Sequence, residues 1–265
     1  MNLKKLENKI GLDEELVKEL ESYKFSEKTL EDLKDAYNED FTRFKSIIKN
    51  EKDGAFLTLK VYLELALSTY EEYIKRGIPE EIYVDSMKDI RIWANDYKKK
   101  HGVWGIDELD WLAESLDLKV IRLGRLQYEK TRAKKNLGPI VEGEEFLSVH
   151  IPEDSKLDPK DVENSLDLAR EFYKDQGIKY FYCKSWLLSL NLDWVLNKDS
   201  NIVKFRDKFT HIEMNFGTPQ PEERIFLKAL EDKSLYPEET SLQKNAKRAI
   251  LEGLDLGVGS GYIEF

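Results

Sequence analysis

At Leu118 the apolar residues of this chain stop recurring at helical spacing and begin to alternate. Upstream, sets such as Leu12, Leu16, Val17 and Leu20 repeat with the period of an α-helix; downstream, LKVIRLGRLQYEK steps with the period of a strand. A 3.6-residue repeat cannot lie in a sheet without turning half its apolar side chains to water, and a two-residue repeat cannot line one stripe of a helix. The chain is therefore expected to be α+β, with an all-helical domain over residues 1–117 and a mixed domain over 118–265. At 265 residues, with 41% hydrophobic and 11% aromatic side chains, it can bury a real core.

In the helical half, Ser26 with Glu27 behind it reads as a helix cap, and Ala55 to Ile74 is apolar on most of its circumference, as a central helix must be. Pro79 restarts a helix that ends near Gly102, and a shorter one follows over Ile106 to Leu116. Trp104 and Trp111 are read as packing between the domains.

In the second half, strands are expected at 119–130, 145–151, 179–185, 209–215 and 256–264, and helices near 159–176, 186–196, 200–207, 219–231 and 240–253. Asp158 before Pro159 forms an N-cap and first-turn pair, and Thr240 with Gln243 a capping box. Strand 145–151, helix 159–176 and strand 179–185 make a βαβ unit, so those two strands run parallel. Ligands of such sheets gather beyond the carboxyl ends of the strands, where His150, Cys183 and Ser185 fall. The C-terminal GVGSG leads into a last strand instead of opening a helix, which makes it a turn or bulge and not a phosphate loop.

The net charge of −10 and a pI near 5.1 oppose a nucleic-acid partner, whose affinity comes from a basic surface. Lys98, Lys99, Lys100 and His101 read as the solvated end of a helix. One cysteine and three histidines without ligand spacing give no expectation of a disulfide or a metal site. The first residues, MNLKKLENKIGLDEE, carry no apolar signal core, and nowhere do about 20 apolar residues run uninterrupted, so a cytoplasmic protein with no membrane span is expected.

Polar residues interrupt the strand pattern around 118–176. On an extended strand Arg125, Gln127 and Glu129 share a face, as do Ser148 and His150. Glu129 can serve as a general base or pair with Arg125 or Lys130; His150 can be the base or a hydrogen-bonded structural residue. Cys183 admits either a covalent Cys–His route or a small buried side chain, and Ser185 a hydrogen-bond donor. Arg122 and Arg125, three apart, face opposite sides and do not form one clamp; of the two, Arg125 is the substrate-binding candidate with Gln127.

The runs RLGRLQYE, LSVHIP before a helix, CKSWLL and ETSLQKNAKRAILEG resemble those of bacterial acyltransferase-like proteins with a helical N-acyltransferase N-terminal domain and a GNAT-like (Gcn5-related N-acetyltransferase-like) C-terminal domain. The resemblance spans essentially the whole chain. It implies a sheet whose fourth and fifth strands, 145–151 and 179–185, splay to hold the pantetheine of an acyl-CoA, with helix 159–176 receiving the pyrophosphate. Val149, His150, Ile151, Lys156, Cys183 and Ser185 would then line the donor slot, and the acyl group would pass to an amine or hydroxyl of a small molecule or peptide. The loop PEDSKLD departs from the family pattern: it has no glycine, and it sets Glu153 and Asp154 before the expected phosphates. A different carrier, a different mode of binding it, or a non-catalytic ligand-binding or interaction module all stay open, as does a homodimer formed through residues 55–97.

Overall fold

The computed structural model describes every residue except Phe25 and the side chain of Glu27, so the expected role of Glu27 in a cap lies outside the described residues. It divides into two compact units, Met1–Leu123 with Pro152–Asp154, and Gly124–Ile151 with Ser155–Phe265.

The first unit holds α1 (Leu3–Ile10), α2 (Glu14–Ser22), α3 (Glu27–Glu39), α4 (Phe41–Asn50), α5 (Gly54–Lys75), α6 (Glu80–His101), α7 (Leu109–Leu116) and the short strand β1 (Val120–Leu123). α5 is central, as its apolar circumference predicts: Leu59, Val61, Tyr62, Leu63 and Ala66 are all fully buried. The buried tyrosines place their hydroxyls on carbonyls, Tyr62 on Leu109 at 2.8 Å and Tyr83 on Ala66 at 2.7 Å, which removes the cost of burying an O–H unpaired. α6 ends where expected, with Gly102 in the left-handed region at φ 76°. The two tryptophans find partners within this unit: Trp111 donates to Asp89 at 3.0 Å, and the Trp104 ring lies under the Lys98 ammonium. β1 packs against α6, and Ser86 Oγ of that helix accepts from the Arg122 backbone N–H.

The second unit contains β2 (Leu126–Arg132), β3 (Glu145–His150), α8 (Pro159–Tyr173), β4 (Tyr180–Ser185), α9 (Asn201–Arg206), β5 (Thr210–Asn215), α10 (Gln220–Phe226), α11 (Ser241–Leu251) and β6 (Val258–Glu264). Its strands lie in the order β2-β3-β4-β6-β5, with β3 and β4 parallel and the other neighbours antiparallel. The βαβ expectation is met, and both helix caps form: Asp158 accepts from the Lys160 N–H, and Thr240 and Gln243 close a capping box.

Four expectations change. The helix expected over 219–231 ends at Phe226, where Leu227 takes φ 71° and stops it. The run 119–130 is not one strand, because Gly124 takes φ 70° and turns the chain between Leu123 and Leu126, which puts Arg125 in the turn and off the strand face. Residues 186–196 form two short 3₁₀ helices instead of one α-helix, because the Ser185 and Ser189 side chains each accept a backbone N–H two residues on and restart the chain. GVGSG is a turn only at Gly257 (φ 64°); Gly259 and Gly261 lie inside β6. A Cβ on Gly259 would stand 2.1 Å from the Leu188 carbonyl oxygen, so close backbone approach requires glycine there.

α8 covers one face of the sheet. Its Ser165 hydroxyl accepts from the Leu126 N–H and shares a hydrogen bond with Tyr128, while Val162, Leu166 and Ala169 pack inward. By strand alternation Leu147, Phe181 and Cys183 share that covered face with Tyr128, and all four are fully buried.

Candidate active site

The opposite face of the sheet carries the polar residues. Gln127 is the register partner of His150, and Glu129 of Ser148, so all four point to one side. Glu129 and His150 meet across the diagonal of that ladder, Oε2 to Nε2, at 3.2 Å, and both side chains are a little over a quarter exposed. Instead of competing for one role, the two candidate bases form a pair. Lys130, the other partner weighed for Glu129, engages Glu145.

The parallel ladder between β3 and β4 contains two pairs, Leu147 with Phe181 and Ser148 with Tyr182, although the strands run on to His150 and Ser185. Beyond that point a cavity of about 300 Å³ opens, lined by Ser148, Val149 and His150 of β3, Lys184 of β4, Asn215 of β5, Thr218, Gln220 and Val258. Its size and mixed lining suit a small organic ligand.

The remaining candidates are distributed differently. Cys183 lies on the α8 face, away from His150, and burial pushes its thiol well above the usual range, so a covalent Cys–His route is excluded. Ser185 caps the following 3₁₀ turn by accepting from the Leu187 N–H. Gln127 is buried, and its amide nitrogen has no hydrogen-bond partner. Ile151 follows the last residue of β3.

The acidic loop is built in two halves. In the first unit Arg122 grips the Asp154 carboxylate with two bonds, at 2.8 and 3.1 Å, and Arg91 approaches the same carboxylate at 3.4 Å, so Asp154 is neutralised and does not confront an anion. In the second unit Arg125 donates to the carbonyls of Ser155 at 2.7 Å and Lys156 at 3.0 Å. Arg125 is therefore a loop-shaping residue and not a partner of Gln127 on a substrate face. Because C=O and N–H point in opposite directions across a trans peptide, this grip turns the N–H groups of Lys156 and Leu157 away from the guanidinium. The first turn of α8 has little left to offer: Pro159 has no N–H, and that of Lys160 is taken by Asp158.

Among the described residues no cluster of histidine, cysteine or carboxylate side chains is arranged to hold a metal, and no helix is long and apolar enough to cross a membrane.

A parallel strand pair that parts after two residue pairs, joined by a crossover helix and flanked by antiparallel neighbours, defines a GNAT-like sheet. Residues 120–263 match the GNAT-like C-terminal domain, and residues 1–118 match the N-acyltransferase N-terminal domain. The chain belongs to the family that joins these two domains.

Solved structures agree in fold. The chain is similar to an acyltransferase in complex with decanoyl-CoA (TM-score 0.83, 23% identity), to an acyltransferase in complex with CoA and 10C-teicoplanin (0.83, 20%) and to an acyltransferase in complex with decanoyl-CoA and teicoplanin (0.81, 19%). Each comparison covers 99% of this chain and 87% of the other. No curated protein matches the chain.

Two features escaped the sequence reading. The Glu129–His150 contact depends on the β2–β3 register, which a 12-residue connection hides. The wall formed by Asn215, Thr218 and Gln220 spans the end of β5, the connecting loop and the start of α10, where the only sequence signals are Gly217, Pro219 and Pro221.

Proposed function

We propose that this protein transfers an acyl group from an acyl-CoA to an amine or hydroxyl of a small molecule or peptide, with His150 as general base. The observation that carries this reading is the Glu129–His150 pair at the mouth of the cleft where β3 and β4 part. With the Nε2–H donating to the Glu129 carboxylate, Nδ1 is the basic nitrogen. His150 takes the proton of the acceptor as its nitrogen or oxygen bonds to the thioester carbon. The carbon–sulfur bond then breaks, and the departing thiolate collects that proton from the imidazolium.

The family membership and the acyltransferases of like fold bound to CoA or decanoyl-CoA support the choice of donor. The neutralisation of Asp154 by Arg122 removes one of the two carboxylate charges, Glu153 and Asp154, that oppose a phosphate-bearing ligand at the loop. Lys156, Leu157 and the end of β3 at Val149 to Ile151 are the donor-side residues on this reading; Cys183 and Ser185 are left out of it.

The test is incubation with acyl-CoAs of graded chain length and a panel of amines, following free thiol release and thermal protection. Thiol release that depends on the amine, and is lost in His150→Gln, is expected. Neither thiol release nor a shift in melting temperature with any acyl-CoA would overturn the reading.

A further inference from the structure

Among the side chains that line the cavity beyond His150, Gln220 and Thr218 have their acceptors already engaged. Gln220 Oε1 accepts from the Trp186 N–H at 3.0 Å, which leaves its amide NH₂ as the outward group. Thr218 Oγ1 accepts from the Gln220 N–H at 3.4 Å, which leaves its O–H to donate. Asn215 Nδ2 is buried and has no hydrogen-bond partner. Lys184 contributes an ammonium from the same sheet face, and among the described residues no carboxylate is paired with it.

This grouping is chemically one-sided. An amide N–H held out of water without an acceptor costs about 1–3 kcal/mol, and the exposed Lys184 ammonium can exchange its water for an anion. One ligand group that accepts several hydrogen bonds and carries negative charge would engage both. Two carboxylates share this face: Glu129, which is engaged with His150, and Glu213, which is separated from Lys184 by the width of β6.

We propose that the acceptor substrate carries a carboxylate, held by Lys184, Asn215 and Gln220, which directs its amine or hydroxyl toward His150. The proposal rests on the acyl-transfer reading of the site and adds the class of acceptor: amino acids, peptides with a free C-terminus, or other carboxylate-bearing amines and alcohols. The cavity volume of about 300 Å³ admits such a head group, and larger acceptors would present it as their terminus.

The experiment uses the full-length protein and matched probes: free amino acids and dipeptides, each beside its C-terminal amide. Binding is measured by calorimetry and turnover by thiol release with one acyl-CoA. At least one acid is expected to bind about tenfold or more tightly than its amide, and Lys184→Met to abolish that preference while Asn215→Ala reduces it. Equal binding of every acid and its amide would overturn the proposal, as would a Lys184→Met variant that loses acyl-CoA binding and keeps the acid preference. Because the preference is read in binding, it is scored even if turnover is nil. The base role fails separately, when His150→Gln retains turnover.

Discussion

Glu129 Oε2 lies 3.2 Å from His150 Nε2, although the two residues are not register partners: each faces a different residue across the β2–β3 ladder, and their side chains meet on the diagonal. The carboxylate thus orients an imidazole that it does not oppose directly, and the two can be altered separately. His150→Gln is expected to lower kcat by about 10²-fold or more, with folding retained. Glu129→Gln is expected to cost less, about tenfold, because the imidazole stays and only its preferred tautomer is lost. Steady-state kinetics of the two single variants and the double variant check this: equal losses in all three indicate one unit, and additive losses separate the roles.

On the proposed function, Arg125 acts on the donor side through the backbone, by holding the carbonyls of Ser155 and Lys156. Arg125→Lys keeps the charge but cannot hold two carbonyls at once. The expected outcome is a KM for acyl-CoA raised about tenfold with kcat little changed, and a fall in kcat at constant KM would contradict it.

Cys183 is a packing residue. Its thiol is raised by burial, so the folded protein is expected to resist iodoacetamide at neutral pH and to react once unfolded in guanidinium. Cys183→Ala is expected to retain acyl transfer and to lose stability, on the order of 1 kcal/mol. Loss of turnover without loss of stability would restore a chemical role.

Glu80 links the helical unit to pH. Tyr70, then Lys9, hold its carboxyl down at about 2 against an ordinary 4.5. A depressed folded-state pKa stabilises the fold above the unfolded value, and that contribution is lost as pH falls from about 4.5 through about 2. Urea midpoints of Glu80→Gln are expected to depend less steeply on pH across this window than those of the parent. Parallel curves would show that the group is immaterial.

The helical half was readable because its apolar residues keep one period through α5 and α6, and Pro79 and Gly102 mark ends that depend only on local backbone geometry. The βαβ unit was readable for the same reason, with Asp158 and Pro159 opening α8. Register was not: β2 and β3 each show a polar face, but the residues of one that face those of the other depend on the loop between them. Gly124 was visible as a residue and its consequence was not, because a glycine in an alternating run signals equally a weak point in a strand and a turn between two. The Arg122–Asp154 pair joins residues 32 apart through tertiary structure, so the acidic loop looked hostile to phosphate when read alone.

The β3–β4 ladder that stops at Ser148 and Tyr182 makes an edge in the interior of a sheet. Edges at the outside of a sheet invite other chains and promote aggregation, whereas this one is screened on both flanks, by β2 beside β3 and β6 beside β4. On the proposed function, a donor with amides at peptide-like spacing would pair here as an added strand. Selection at the cleft would then begin with backbone shape, before any side chain reads the ligand.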